Sequence, residues 1–512
     1  MSRRVLIAAV ALLVAGMALV VVLNGDDREP ATDAEPETAV DDLDAEEFPR
    51  TLREIAEKEP RSRRLDFERW ETDEGARVLF MKAPQLPMVD ARLIFNAGAA
   101  RDGDYPGLAA LTSHLLDEGA DGMDVDEIAS GFEDLGAQLK TSSHRDMGVV
   151  DLTVLSDEQY RGPAFELLGR VLSKPEFPED ALERARSRFL QSLRMKRERP
   201  GPQVDRAFYE TLFGDHPYGI PPDGTEESLE QITREQLEEF HRRYYAAGNA
   251  VIALMGDIER EEAERIAEEI SAGLPEGEAA EKLPDFETRE DRRVKHIDFD
   301  TFQTHIHIGN SLVPRGHPDY AALHVGNHIL GGGGFSAMLM EEVRQRRGLV
   351  YGVRSSVTPM AVAGPFRITL QTANENADEA LGLTLALVED LVRDGPTDEQ
   401  MEEALDYLTG SFPLSTASNR QLVGQLGNIG FYDLPLDHLD RFQEEVRTMT
   451  AEEVRDAMRR HLHPGHLSIV SIGPEAPRIP DRGELEEIRE EHEETDPVEE
   501  APAPERPHEP PQ

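Results

Sequence analysis

One passage of this 512-residue chain occurs twice, and this repeat constrains the fold more than any other feature. The first copy runs from Thr233 to Gly256 and the second from Thr450 to Gly473. The threonine and the glycine are 23 residues apart in both copies, and the offset between copies is 217 at both ends (450 − 233 and 473 − 256). An internal repeat of this length predicts two supersecondary units of the same kind, and therefore two related domains.

Each copy predicts a capped helix followed by a buried strand. A glutamine or glutamate, Gln236 or Glu453, lies three residues after the threonine, as a capping box requires. The continuous apolar run Ala250–Gly256 follows in the first copy and the largely apolar run Leu467–Gly473 in the second, and short runs of this kind are typical of buried strands.

A weaker similarity extends the repeat towards the N-terminus of each copy. Ala91–Gly98 and Thr304–Gly309 both have strand character, and each precedes a helix that begins near a proline, Pro106 or Pro318. Together with the alternation of helices and antiparallel-type strands, the repeat predicts an α+β protein.

The predicted domains occupy residues 65–275 and 288–478, with an acidic linker over 276–287. Further predicted elements within them are the helices Pro178–Glu198 and Asp378–Arg393 and the strands Gly148–Leu155 and Phe366–Thr372.

The N-terminus predicts a membrane anchor over residues 1–24. Val5–Leu23 is an unbroken apolar run of 19 residues, preceded by Arg3 and Arg4. At 1.5 Å per residue it is about 28 Å long, close to the thickness of a bilayer core. Because the arginines stay on the cytoplasmic side, we expect the body in the periplasm, anchored to the inner membrane, or secreted if the segment is a cleaved signal.

Acidic segments flank the predicted domains. Residues 25–64 form a predicted linker, in which residues 26–47 contain 11 acids and one arginine, and residues 479–512 form a predicted disordered tail rich in Glu and Pro. The chain has 54 Lys and Arg against 102 Asp and Glu, a net charge of −48, which excludes a general nucleic-acid-binding surface. It has no cysteine, so disulfides, thiolate zinc sites and cysteine nucleophiles are excluded.

The segment between Gly107 and Gly119 resembles the zinc helix of the pitrilysin/insulinase-type metallopeptidases, the inverzincins, which include the mitochondrial processing peptidase. In active members this helix reads Gly-Leu-Ala-His-x-x-Glu-His, and a glycine follows five residues after the second histidine. Both glycines align without a gap, which places Ala110 at the first histidine, Ser113 at the catalytic glutamate and His114 at the second histidine. The resemblance implies two homologous α/β-roll domains of the metallopeptidase type.

The third zinc ligand of the family is a glutamate on a later helix, in a Glu-x6-Glu pattern. The matching passage here places Ala185 and Ser192 at the two acidic positions. Four of the five active-site positions are therefore degenerate, and one imidazole does not hold a catalytic zinc. The resemblance implies no catalytic residue, no metal and no cofactor in this chain.

One alternative retains a metal. His114, Asp117 and Glu118 form a His-x-x-Asp-Glu pattern, displaced by one helical turn from the family register. This interpretation predicts an active metallopeptidase with a His114/Glu118 site, but it discards both glycine positions and still lacks the third ligand.

The second predicted domain resembles the same family in its glycine-rich loop and in an Arg/Tyr pair. Arg344 and Tyr351 are seven residues apart and match the pair that hydrogen-bonds substrate carbonyls in the family. Simpler interpretations are a flexible helix entry for the glycines, a solvated helix residue for Arg344 and a half-buried strand residue for Tyr351. The candidate substrate-binding glycines are Gly331, Gly332, Gly333 and Gly334.

The resemblance implies a division of labour. In such peptidases one chain carries zinc, and a companion of the same fold supplies the glycine loop and the Arg/Tyr pair. We therefore expect a non-catalytic, substrate-orienting subunit, with a catalytic His-x-x-Glu-His paralogue that holds the zinc and with an extended peptide as substrate. The alternative of a different class is a stand-alone peptide-binding or scaffold protein on the same fold.

Overall fold

The structure is a computed structural model that describes residues 65–288, 290–481 and 483–488. The predicted anchor, the predicted acidic linker over residues 25–64 and most of the predicted C-terminal tail lie outside the described residues. Among the described residues, no helix combines the length and the apolar character needed to cross a bilayer.

The first half of the described chain alternates strands and helices. In chain order its elements are β1 (Glu68–Glu71), β2 (Arg77–Lys82), β3 (Met88–Phe95), α1 (Leu108–Leu115), β4 (Gly119–Ala120), β5 (Met123–Asp124), α2 (Val125–Asp134), β6 (Gln138–Ser143), β7 (Gly148–Leu155), α3 (Glu158–Ser173), α4 (Glu179–Arg197), α5 (Pro200–Phe213), α6 (Glu226–Gln231), α7 (Arg234–Tyr244), β8 (Ala250–Gly256) and α8 (Arg260–Gly273).

The second half repeats this pattern with a different set of helices. Its elements are β9 (Val294–Asp298), β10 (Gln303–Ser311), α9 (Tyr320–Asn327), β11 (Val350–Val357), β12 (Pro365–Ala373), α10 (Ala377–Asp394), α11 (Asp398–Ser415), α12 (Asn419–Phe431), α13 (His438–Thr448), α14 (Ala451–His461) and β13 (Ser468–Gly473). Two π-helical segments, His328–Gly332 and Met340–Arg346, lie between α9 and β11.

The two main sheets have the same topology. The first has the strand order β1-β2-β8-β3-β7-β6, and the second has the order β11-β12-β10-β13-β9. Each contains one parallel pair, β2 with β8 and β9 with β13, and the remaining neighbours are antiparallel. Read from the parallel pair outwards, β2-β8-β3-β7-β6 corresponds to β9-β13-β10-β12-β11. The mixed helix and sheet fold and its internal repeat are as the sequence predicts.

The repeated helix–strand passage is confirmed in both copies. The backbone N–H of Thr233 donates to Gln236 Oε1 at 2.8 Å, and that of Thr450 donates to Glu453 Oε2 at 2.9 Å. These bonds satisfy amides at the starts of α7 and α14. The strands β8 and β13 that follow are buried along their whole length, which explains the continuous apolar sequence of β8 and the small and apolar residues of β13.

Each half contributes one helix to the sheet of the other half. Helix α5 packs on β10 and β13 of the second sheet, and α12 packs on β2, β3 and β8 of the first. Adding the repeat offset of 217 to α5 gives residues 417–430, which overlap α12, so the exchange is reciprocal. Side chains that join α5 to the second sheet are Val204, Phe208 and Leu212 with Val470 and Ile472, and those that join α12 to the first sheet are Leu422, Leu426 and Ile429 with Leu79 and Val251.

A buried carboxylate joins the two halves. Asp146, which follows β6, accepts hydrogen bonds from the hydroxyls of Tyr218 at 2.5 Å and Tyr432 at 3.1 Å, and from the backbone N–H of Ala361 at 2.9 Å. Burial raises the pKa of Asp146 despite these donors, because the charged form loses its hydration. Tyr218 lies in the short turn Pro217–Gly219, so this turn has a structural role at the junction.

Candidate functional site

The degenerate zinc helix α1 is held in place by a buried acid and by its two frame glycines. Asp102 accepts from the backbone N–H groups of Gly107 and Ala109 at 2.7 Å each, at the start of the helix. Gly107 has a φ of +94°, which favours glycine, and a Cβ on Gly119 would lie 2.9 Å from Pro178. The glycine spacing of the zinc helix is therefore explained by backbone geometry, which does not depend on the lost ligands.

The positions that correspond to the zinc ligands and catalytic acids of the family lie on α1 and α4, which are neighbours in the structure. Ser113 and Ala185 are buried, whereas Ala110 and Ser192 are half-buried. None of these four side chains carries an imidazole or a carboxylate. His114 is therefore the single residue of a zinc-binding type at the aligned positions.

A guanidinium occupies the position beside His114. Arg188 on α4 donates a hydrogen bond from Nη2 to His114 Nε2 at 2.9 Å, and its Nη2 also lies 3.5 Å from Glu118 Oε1. Because an arginine can only donate, His114 Nε2 accepts and the imidazole is neutral with its proton on Nδ1. Burial and then the charge of Arg188 lower the pKa of His114, which favours this neutral form.

The displaced His-x-x-Asp-Glu set is arranged around arginines. Glu118 pairs with Arg184 at 2.9 Å in addition to its contact with Arg188. Asp117 is partly buried, which raises its pKa and disfavours the carboxylate form that a metal needs. The one described group of three residues with ligand atoms close enough for a metal is elsewhere in the chain and does not include His114.

That group consists of His317, Asp319 and His461, at the entry of α9 and the end of α14. Asp319 accepts two hydrogen bonds from Arg460, at 2.9 and 3.0 Å, and one from His461 at 2.7 Å. Its backbone N–H also donates to His317 Nδ1 at 3.1 Å. These hydrogen bonds join the entry of α9 directly to the end of α14.

The glycine run in the second half is tightly packed at three of its four positions. A Cβ on Gly331 would lie 2.6 Å from Ser355 N, one on Gly332 would lie 2.7 Å from Asn327 Nδ2, and one on Gly333 would lie 2.9 Å from His328 O. Gly334 has a φ of +72°. The run begins as a π-helical turn that packs against β11.

Arg344 and Tyr351 lie on consecutive elements and both are exposed. Arg344 belongs to the π-helical segment Met340–Arg346, where the sequence predicts an ordinary helix, and Tyr351 is the second residue of β11. The turn between them is closed by a hydrogen bond from Gly348 N to Arg344 O at 3.0 Å. The side chain of Tyr351 is 61% exposed, so the interpretation as a half-buried strand residue does not fit.

Within the described residues, the Arg344 guanidinium has no ion-pair partner. Its contacts are the thioether of Met340, with Nη1 3.7 Å from Sδ, and the ring of Phe335, 5.6 Å from the ring centroid. The neighbouring Arg346, by contrast, pairs with Glu341 at 2.9 Å. An exposed and unpaired guanidinium in a chain of net charge −48 is available to donate to a ligand oxygen.

A cavity beside this pair involves residues for which the sequence predicted no role. It has a volume of about 460 Å³ and lies between the start of α5 and the polar face of β10, β11 and β12. His305 and His307 line it, and both belong to the strand passage that predicted only a structural repeat. The alternation of polar and apolar residues from Gln303 to Ile308 was the signal available in the sequence, since it puts these polar side chains on one face.

Comparisons with known proteins agree with this geometry. The family model described as insulinase (peptidase family M16) matches residues 77–226, and the model described as the peptidase M16 inactive domain matches residues 231–408. The chain is 26% identical over 399 residues to the non-peptidase homolog YmxG of Helicobacter pylori, covering 77% of this chain and 91% of that protein. It is 24% identical to the uncharacterized zinc protease YmxG of Bacillus subtilis, covering 80% and 98%.

The crystal structure of a peptidase M16 inactive domain from Pseudomonas fluorescens superposes with a TM-score of 0.79. It is 44% identical to this chain and covers 81% of this chain and 100% of the solved one. A protease structure from Helicobacter pylori, 17% identical with a TM-score of 0.74, has the same fold. These matches span both halves, and they establish that the chain belongs to the insulinase family, peptidase family M16.

Proposed function

We propose that this chain is the non-catalytic, substrate-orienting subunit of a heterodimeric M16 zinc endopeptidase that acts on extended peptides. The zinc and the general base belong to a partner chain with an intact His-x-x-Glu-His helix. This chain contributes Arg344, Tyr351 and the glycine run Gly331–Gly334.

The observation that carries the proposal is the contrast between the two halves. In the first half, the remaining ligand-type residue, His114, is bound to Arg188. In the second half, Arg344 and Tyr351 are exposed, and no acid pairs with the guanidinium among the described residues. A guanidinium and a phenol both donate to a carbonyl oxygen that gains negative charge during attack on a peptide bond.

The position of β11 supports an extended substrate. β11 is an edge strand of the second sheet and carries Tyr351 near its start. A peptide that pairs with such an edge gains main-chain hydrogen bonds with little demand on its sequence. Phe335, 71% exposed, adds an apolar surface next to Arg344.

The experiment mixes the full-length chain with an M16 chain from the same genome that has an intact His-x-x-Glu-His motif, and follows cleavage of an unstructured fluorogenic peptide. We expect turnover that needs the mixture and that falls about 10²-fold or more with Arg344→Ala, since one donor to a developing oxyanion contributes on that scale. Tyr351→Phe, which removes only the hydroxyl, lowers turnover by a smaller factor.

Two matched controls separate these roles from general damage. Tyr407→Phe alters a tyrosine with the same exposed fraction, 61%, whose ring stacks on His328. Arg242→Ala removes an exposed arginine on α7 that pairs with Glu239. Both controls keep full turnover. Unchanged turnover in Arg344→Ala and Tyr351→Phe refutes the assigned roles, and peptide binding without turnover in any mixture favours a stand-alone binding protein.

We also propose that the complex works in the cell envelope, tethered to the inner membrane by Val5–Leu23 with its body in the periplasm. The support is the sequence alone, an apolar run preceded by Arg3 and Arg4. Protease treatment of spheroplasts tests it. Digestion of the body in intact spheroplasts supports the proposal, and full-length protein in the soluble cytosolic fraction contradicts it.

A further inference from the structure

The cavity beside the Arg/Tyr pair has a cationic wall. On its strand side, three cross-strand rows share one face of the second sheet: Gly352 with Gln371 and His305, Arg354 with Thr369 and His307, and Ser356 with Arg367 and Gly309. The opposite face of these strands is apolar and belongs to the core. The polar face that these three rows form is therefore directed at the first turns of α5, which close the other side of the cavity.

The charges in the cavity do not cancel. Arg367 pairs with Asp205 on α5, the one acidic residue that lines the cavity. Arg354 is exposed and has no ion-pair partner among the described residues. The lining thus has an excess positive charge in a chain whose net charge is −48. A ligand carboxylate can pair with Arg354 without displacing an existing contact.

A largely buried histidine also lines the cavity. His307 lines the cavity and is 9% exposed, and its Nδ1 has no hydrogen-bond partner among the described residues. Burial, followed by the charge of Arg367, lowers the pKa of His307 to about 3, so its imidazole is neutral at pH 7. Because Nδ1 is buried, Nε2 is the ring nitrogen that can meet a ligand, and a neutral imidazole with its proton on Nε2 donates to an anionic oxygen.

The start of α5 adds one backbone donor. Pro200 and Pro202 have no N–H, so Gly201, which lines the cavity, supplies the one amide among the first three residues of this 14-residue helix. No side chain caps the helix at Arg199, and a first-turn amide lacks an intrahelical acceptor. The helix dipole makes this end of α5 positive, which also favours an anion.

We infer that this cavity is a subsite for a peptide carboxylate, which Arg354 and His307 bind. The inference rests on the proposed function, because it treats the cavity as part of the same peptide-binding surface. Met340 connects the two, since it lines the cavity and its Sδ contacts the guanidinium of Arg344. The subsite makes the chain selective for peptides with an acidic residue or a free C-terminal carboxylate next to the segment bound at Arg344.

The test measures peptide binding to the full-length chain alone, in detergent and at fixed salt, by fluorescence anisotropy. Three labelled peptides share one unstructured sequence: one with a single Glu and an amidated C-terminus, its Gln twin, also amidated, and the Gln peptide with a free C-terminus. We expect the Glu peptide to bind about tenfold more tightly than the amidated Gln twin, which is the scale of one charge-assisted hydrogen bond. The third peptide shows whether a terminal carboxylate is also accepted.

Variants of the exposed Arg354 make the result specific. Arg354→Gln abolishes the preference for Glu, and Arg354→Lys, which keeps the charge, retains most of it. Arg242→Gln retains all of it, because this exposed arginine is paired with Glu239 on α7 and does not line the cavity. Arg344→Ala lowers the affinity for the Glu peptide and for the Gln peptide by the same factor. Nonspecific electrostatics predicts the opposite preference, since the net charge repels an acidic peptide.

Equal affinities for the Glu and Gln twins overturn the subsite, as does a preference that persists in Arg354→Gln. These outcomes are separate from a failure of the proposed function. The subsite is measured on this chain without a partner, whereas the function is measured as Arg344-dependent turnover in the mixture.

Discussion

Arg188 donates a hydrogen bond to His114 Nε2 at 2.9 Å, so a guanidinium binds the one imidazole that remains at the aligned zinc positions. The same guanidinium approaches Glu118, the acid of the displaced motif. A positive side chain between an imidazole and a carboxylate supplies the charge that a metal cation would otherwise supply. The loss of zinc ligands is therefore accompanied by a contact that keeps the remaining groups in place.

The ionisation of His114 tests this contact. We expect Arg188→Ala to raise the pKa of His114, because it removes a positive neighbour while Glu118 and Asp117 remain and favour protonation. NMR titration of the imidazole measures it. Arg184→Ala is the control, because Arg184 pairs with Glu118 and does not contact His114. A pKa that is unchanged in Arg188→Ala contradicts the assigned contact.

Metal content tests the degenerate site directly. We expect the chain, purified without chelators, to hold zinc well below one atom per molecule, and His114→Ala to leave this content unchanged, because three protein ligands are the norm for such sites. Elemental analysis measures zinc per chain. One zinc per chain that disappears in His114→Ala would restore the displaced peptidase site and remove the basis for a non-catalytic role.

Stability should depend on pH through Asp102. Burial raises the pKa of this carboxyl from 3.8 to about 8, although two backbone N–H groups bind it. Between about pH 4 and pH 8 the folded state binds more protons here than the unfolded state does. The free energy of unfolding attributable to Asp102 therefore falls as the pH rises through this window and is constant above it.

Urea unfolding midpoints from pH 4 to pH 9 measure this effect in the wild type and in Asp102→Asn. The asparagine cannot ionise, so the difference between the two curves isolates Asp102 from the other titrating groups. The variant is also less stable overall, because an amide has only one oxygen to accept from two backbone donors. Parallel curves across the window would show that Asp102 is not the source.

The exchange of helices between halves depends on a glycine of α12. A Cβ on Gly430 would lie 2.3 Å from Leu79 Cδ1 and 2.6 Å from Val251 Cγ1, on the first sheet. We expect Gly430→Ala to lower the free energy of unfolding by about 1–3 kcal/mol through overpacking. Gly410→Ala is the control, because a Cβ there meets nothing within 4 Å on helix α11, and it should stabilise by up to about 1 kcal/mol. Equal effects of both changes in denaturant unfolding would refute the close approach.

Local sequence signals predicted several helices and strands correctly. The capping boxes at Thr233 and Thr450 define where α7 and α14 begin, and the observed β7, Gly148–Leu155, has the predicted bounds. Helix starts and buried strands depend on residues a few positions away, so they can be predicted from the sequence alone. The degenerate ligand positions had another origin, since they were predicted from the resemblance of residues 107–119 and 183–193 to the motifs of the metallopeptidase family.

The contacts that distinguish the site were not accessible in this way. Arg188 and His114 are separated by 74 residues, and neither has a local pattern that predicts the other. The same holds for the cavity, where Arg354 and His307 share one cross-strand row, with Thr369 between them, only through the register of β11, β12 and β10. Side chains that approach from different elements depend on register and packing, which local propensity does not encode.

By itself, the sequence determined that the chain is a duplicated α+β protein, because caps, periodicity and repeat spacing are properties of residues close to each other along the chain. Its resemblance to the metallopeptidases predicted that the zinc ligands are replaced. Tertiary structure alone decided that α5 and α12 are exchanged between the halves, that a guanidinium rather than an open space faces His114, and that Arg344 has no acidic partner in the part of the chain that the structure describes. These outcomes follow from how whole sheets and helices bury their apolar faces against each other, which brings together charges that are distant along the chain.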